Sequence, residues 1–465
     1  MNMLNRWDPE DASFWKTEGR SRAWLTLVVT TVSLVASFAT WFVFSAVAVR
    51  LPAIGFKFDT MQLFWLTAMP GLSGGSLRFI HTFLVPIYGT RLTVSVATFL
   101  KILPMLWLGF AVQNPQTPYL HFLAIAFLCG MGGGDFSSYM PSTSMFFPKR
   151  LQGTALGIQA GVGNLGVSIV QFITPWIITF PLLSAFGGSQ VFTKSMVQKA
   201  IWLQNAAFWY LPYLALAGVA CLLFLRSLPG KKPAVGTMLK SMTDNKHAWF
   251  CVITYIMTFG SFSGLAAAFP LMIKSLYGTF PGAPDPLKYA FLGPLVGSAI
   301  RFIGGPLADR FGGSIWTQIS GLGLIGGCLA LIFGGYLTPT SIEQFNGFLW
   351  IMLWMFLMTG IGNFATFRQY PIIFAFNPRQ GAQILGWTGA WAAYGPLIFS
   401  SLIGAAIGAT GSAKPFFWGA LVFYVAASVI NYWFYTRIKG ERYDFGTWKG
   451  TWWDKAKGTW PTHNS

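Results

Sequence analysis

The chain has 465 residues, 54% of them hydrophobic and only 9% charged, with a net charge of +18 and a mean hydropathy of +0.54. A soluble protein of this length carries about a quarter charged residues, so a soluble fold is excluded. The positive balance does not call for nucleic acid, because membrane proteins gather Lys and Arg in their cytoplasmic loops.

Residues 1–23 are polar, mixed in charge and unlike a cleavable signal peptide, and they read as an N-terminal tail. Apolar runs follow at 24–49, 62–87, 92–113, 118–146, 153–183, 205–227, 248–276, 288–309, 315–337, 347–376, 381–409 and 414–436. Each is long enough for the roughly 20 residues a helix needs to cross a bilayer. Backbone in hydrocarbon must satisfy its own hydrogen bonds, and these runs are too long for barrel strands. The expectation is an all-α membrane protein of about twelve spans. The polar stretch 228–247, with Lys231, Lys232, Lys240 and Lys246, separates two six-span bundles, 24–227 and 248–436, and 437–465 forms a C-terminal tail. Basic residues precede span 1 and follow spans 4, 6, 10 and 12, which puts both ends in the cytoplasm. The cysteines at 129, 221, 251 and 328 lack metal-ligand spacing, and no cofactor is expected.

The two bundles repeat one another. Arg78-Phe79-Ile80 with Gly89 recurs as Arg301-Phe302-Ile303 with Gly312, at one shared offset (301 − 78 = 312 − 89 = 223). Gly130, Gly132, Pro141 and Pro148 return as Gly360, Gly362, Pro371 and Pro378 (360 − 130 = 378 − 148 = 230), and Gly157 and Gly166 return as Gly386 and Gly395 (386 − 157 = 395 − 166 = 229). A parallel duplication of this kind builds the major facilitator fold. The string from Gly305 to Gly313, containing Asp309 and Arg310, resembles that superfamily's G-x-L-A-D-R-x-G-G loop and implies a gating role for both residues. Small residues at Gly163, Gly166, Gly386 and Gly395 would let helices approach and slide as the halves move.

A charge deep in a membrane marks function by default. Four are read at depth: Asp135, Arg78, Arg301 and Arg368, with no lysine among them. Arg78 and Arg301 each lie 11 residues before a loop glycine, roughly 16 Å from the cytoplasmic end, and the duplication should face them across a central cavity. Two guanidinium groups without two acids call for an anion, and their planar forks suit a small planar oxyanion. The bland alternative is an arginine tied to backbone carbonyls. Asn164, an amide within the bundle, is a further donor. Asp135 and Arg368 fall at similar depth on related spans, which suggests a buried ion pair. His81, one turn after Arg78, reads as a packed polar residue or a lesser proton carrier.

Over nearly its whole length the sequence resembles NarK-type nitrate/nitrite porters of the major facilitator superfamily. The resemblance is carried by Phe44 to Val49, Arg78, Phe147-Pro148-Lys149, the signature ending Gly163-Asn164-Leu165-Gly166, Thr258 to Phe262, and Arg301. It implies an inner-membrane monomer that carries nitrate and nitrite by alternating access. Arg78 and Arg301 would clamp the anion, Asn164 would donate to it, and Phe38, Phe136, Tyr255 and Phe259 would wall the site. Asp135 and Arg368 stand where exchangers of this kind carry neutral polar residues, which favours nitrate/proton symport with Asp135 as carrier. Nitrate/nitrite exchange and transport of another small anion are the alternatives. A sensor would need an output domain and an enzyme a nucleophile–base pair, and the sequence offers neither.

Overall fold

A computed structural model describes residues 4, 6–182, 186–194, 197–228, 236, 240, 242–374 and 378–444, with backbone alone at 149, 150, 152, 153, 194, 197, 302, 309 and 378–383. Among the described residues ten helices are long and apolar enough to cross a membrane: Ala12–Trp41, Thr90–Ala111, Tyr119–Ser144, Thr154–Ile177, Asn205–Phe224, Lys246–Tyr277, Gly313–Phe333, Gln344–Ile373, Ile384–Thr410 and Lys414–Thr436. Thr60–Tyr88 and Leu292–Phe311 complete the twelve as spans 2 and 8. These two are the less apolar ones, and they carry Arg78 and Arg301.

Span 2 starts at a capping box, in which Asp59 accepts from the Gln62 amide at 2.7 Å and the Gln62 side chain accepts from the Asp59 amide at 3.0 Å. It stops at Gly89, φ 79°, and span 8 stops at Gly312, φ 91°. A side chain would be strained at either turn, so the internal repeat carries down to backbone conformation. Span 1 breaks at Phe42 before the short helix Val43–Val47, and span 7 opens into a π-turn over Ile256–Gly260. Such turns displace one residue from the helical register and recur at functional sites.

The halves meet through symmetry-related pairs, span 2 against span 11 and span 5 against span 8. A Cβ on Gly166 would fall 2.3 Å from the Val35 carbonyl oxygen of span 1, and one on Gly395 would fall 2.2 Å from that of Gly260 in span 7. Gly163 is close to Leu34, whereas Gly386 has room for a side chain. On the face opposite the chain ends the halves are tied. Arg50 donates twice to Asp285, at 2.7 and 2.9 Å, and Lys274 donates to the Val49 carbonyl at 2.8 Å.

Two features depart from the sequence reading. The connection between spans 5 and 6 holds a β-hairpin, Gln190–Lys194 paired with Val197–Ile201, whose Phe192 ring lies 5.1 Å from the Arg50 guanidinium. The C-terminal tail does not all leave the bundle: Tyr443 and Asp444 are buried, and Asp444 accepts from the Ser314 amide at 2.9 Å, at the start of span 9. A helix N-terminus presents unpaired N–H groups and favours an anion, which explains why the tail docks there.

Candidate anion site

Arg78 sits on span 2 in full burial. Its Nε donates to the Gly133 carbonyl of span 4 and its Nη1 to the Gly389 carbonyl of span 11, both at 2.7 Å. A Cβ at Gly133 would come within 2.6 Å of the Trp41 ring, so glycine lets that carbonyl approach. The guanidinium carbon also faces three rings, Phe136 at 4.8 Å, Phe259 at 5.1 Å and Trp41 at 5.4 Å. Cation–π contacts of this kind offset part of the cost of burying the charge. The carbonyl-tied alternative is therefore half right, since two of the nitrogens are occupied. Nη2, buried as well, has no partner among the described residues.

Arg301 on span 8 is held more loosely. It is 7% exposed, its guanidinium lies 5.5 Å from the Phe367 ring, and its buried Nη1 has no hydrogen-bond partner among the described residues. No carboxylate among those residues pairs with either arginine. The two are linked through aromatic rings of span 7. Tyr255 stacks on Phe259 at 5.5 Å, touches Phe367 at 6.3 Å and lies within electrostatic range of both guanidinium groups. Phe136 stacks on Phe259 at 6.5 Å across the two halves, and Phe38 packs on Phe136 at 6.2 Å. Phe38, Phe136, Tyr255 and Phe259 thus form one run of ring contacts, within which Phe136 and Phe259 face Arg78.

Asn164 is fully buried, with neither amide atom partnered among the described residues. A buried polar atom left unpaired costs about 1–3 kcal/mol, and more for a charged group. Arg78, Arg301 and Asn164 thus each carry a buried polar atom without a partner among the described residues, and aromatic rings face both guanidinium groups.

The expected Asp135–Arg368 pair is corrected. Asp135 instead accepts from Lys101 of span 3 at 2.5 Å and from Ser37 at 2.6 Å, with both ionic side chains 1% exposed. Lys101 is thus a mid-span lysine that the sequence reading overlooked. Arg368 pairs with Asp444 of the tail, which rises to meet it. His81 lies 3.9 Å from Asp135 and shares a hydrogen bond with Ser138 at 2.9 Å, as a packed polar residue would. Span 11 does contribute a polar contact, but it is the Gly389 carbonyl on Arg78, with Trp387 and Trp391 packed round Phe79. Arg310 is exposed beside Phe311, and the Asp309 side chain lies outside the described residues.

The family model of the Major Facilitator Superfamily matches residues 29–376. The probable nitrate/nitrite antiporter NarK2 of Thermus thermophilus is 53% identical over 94% of this chain and 98% of its own length. The nitrate/nitrite transporter NarU of Salmonella typhimurium is 36% identical over 95% and 97%. The chain belongs to the nitrate/nitrite porter family of the major facilitator superfamily. Among solved structures, the nucleoside transporter NupG superposes with a TM-score of 0.59 over 87% of this porter and 98% of that chain. At 10% identity that likeness concerns the fold alone. The porter is a multi-pass membrane transporter rather than an enzyme.

Proposed function

We propose that this porter carries nitrate and nitrite across a bacterial inner membrane by alternating access, as a monomer with both ends in the cytoplasm, clamping the anion between Arg78 and Arg301. The observation that carries the reading is the pair of buried arginines with unpartnered Nη atoms and no carboxylate partner among the described residues. The names of the relatives supply the substrate class. Asn164 donates to the bound anion, and the rings of Phe38, Phe136, Tyr255 and Phe259 exclude water, which strengthens every charge interaction inside.

The bundles 24–227 and 248–436 rock about this site, with glycines 163, 166 and 395 as close-packing points and Asp309 and Arg310 at the cytoplasmic gate. Without an anion, repulsion between the two guanidinium groups opposes closure; an anion between them removes that opposition, so binding drives the transition. Lys101 compensates Asp135, which favours exchange of nitrate for nitrite over proton symport. Symport keeps one observation in its favour, namely His81 within 3.9 Å of Asp135 and one turn from Arg78.

Proteoliposomes loaded with nitrite test the reading. Labelled nitrate should enter by counterflow without a pH gradient, and external nitrite should compete where phosphate and acetate do not. Uptake blocked equally by nitrite, phosphate and acetate would contradict it.

A further inference from the structure

We propose that Asn363 of span 10 is a second amide donor to the transported anion, so that each half of the porter offers one guanidinium group and one amide. The proposal rests on the anion reading above. Asn363 is fully buried, and neither its Nδ2 nor its Oδ1 has a partner among the described residues. An amide in that condition is costly unless a ligand satisfies it.

Its direction follows from its neighbours on the helix. At about 100° per residue, Phe356, Phe367 and Tyr370 all lie within about 40° of Asn363. Each of the three meets span 7: Phe356 touches Phe262 at 6.2 Å, Phe367 touches Tyr255 at 6.3 Å and Tyr370 touches Tyr255 at 6.0 Å. Asn363 therefore projects toward span 7 between Tyr255 and Phe262, the stretch that holds Phe259 over Arg78. The opposite stripe of span 10 is committed to span 9, where Ser320 donates to the Met358 carbonyl and Thr317 to Gln369. Span 8 fixes the depth. It runs in the same direction as span 10, with Gly297 against the Phe356 carbonyl and Gly304 against Phe364. Arg301, between those two glycines, thus comes level with the turn that carries Asn363.

The duplication gives the residue a rationale. Asn363 is the counterpart of Gly133 under the offset that relates spans 4 and 10 (363 − 133 = 230). In the first half that position lends its carbonyl to Arg78, and the amide comes from Asn164 on span 5. In the second half Arg301 has no such carbonyl anchor among the described residues, and the amide sits at the equivalent position itself. Nitrate has three oxygens in one plane, each able to accept more than one hydrogen bond, so two guanidinium edges leave acceptor positions unfilled. Amide N–H groups from spans 5 and 10 complete the set.

The test uses the full chain purified in detergent, with sodium nitrate as probe and sodium chloride as control. Calorimetric titration should show the nitrate Kd rising at least tenfold in Asn363→Leu. The unfolding midpoint without nitrate should be unchanged or raised, because an unpaired amide has been removed, and the upward shift on adding nitrate should be lost. A merely structural asparagine would instead lower the nitrate-free midpoint and leave Kd alone, and that result overturns the proposal. If Asn363→Leu does not fold, Asn363→Asp keeps the shape and must abolish binding by placing a carboxylate against the anion; wild-type affinity there also overturns it. Arg301→Lys separates the two levels. Loss of affinity in Arg301→Lys with none in Asn363→Leu removes only Asn363, whereas wild-type affinity in both removes the anion reading as well.

Discussion

Lys101 and Asp135 offer the sharpest test of how the first half is held. The ammonium and carboxylate lie 2.5 Å apart at 1% exposure, and the remaining bonds are from Lys101 to the Ala97 carbonyl and from Ser37 to Asp135. Neutralising one partner strands the other as an uncompensated buried charge, which costs about 3–5 kcal/mol. Lys101→Met and Asp135→Asn should each lower the unfolding midpoint, while the double variant, with no charge to strand, should return to near the wild type. A double-mutant cycle on the detergent-purified protein would then report a coupling far larger than the scatter of about 0.5 kcal/mol between independent sites. The same variants separate the coupling modes. A double variant that folds but loses a proton dependence present in the wild type would make Asp135 a carrier and refute the compensated-charge account. Single variants as stable as the wild type would refute the structural argument itself.

Further outcomes follow from other contacts. Asp285→Asn should loosen the tie to Arg50 by about 1.5–3 kcal/mol. That is roughly a ten- to hundredfold shift toward opening on the face away from the chain ends, read as faster labelling of a cysteine introduced at Ser45 by an impermeant reagent. Gly395→Val should abolish counterflow, because its Cβ would meet the Gly260 carbonyl at 2.2 Å; normal rates would show that spans 7 and 11 need no such approach. In the tail, burial pushes the Asp444 carboxyl up to about 6, against the pull of Arg368. Its folded value exceeds the roughly 3.9 of an unfolded chain, so this group's contribution is fully present below about 4 and is lost as pH rises through about 6. Asp444→Asn should flatten that part of the pH dependence of the unfolding midpoint.

The duplication made the arginine pair legible, because Arg78 and Arg301 share their offset with Gly89 and Gly312, and both of those turns adopt positive φ. Lys101 escaped notice partly because it has no charged counterpart: the same offset leads to Leu324 (324 − 101 = 223). A count of charges inside the apolar runs would have found it. The partner of Arg368 is not legible in the sequence, since nothing local marks Asp444 in the far tail as a cap for span 9. Nothing in the run Gly360-Ile361-Gly362-Asn363 sets Asn363 apart in sequence, and its direction comes from the contacts of its helical neighbours. Sequence spacing conveys depth and repetition well. It conveys long-range pairing poorly, because a tail can return to any helix end that lacks a hydrogen-bond acceptor.

The most direct measurement is the initial rate of nitrate entry into nitrite-loaded vesicles for Arg78→Lys and Arg301→Lys. Lysine keeps the positive charge and removes the planar fork, so a clamp made of two opposed forks predicts rates near background in both. Rates close to the wild type in either variant would mean that charge alone suffices, contradicting the claim that these guanidinium groups hold the anion by their geometry.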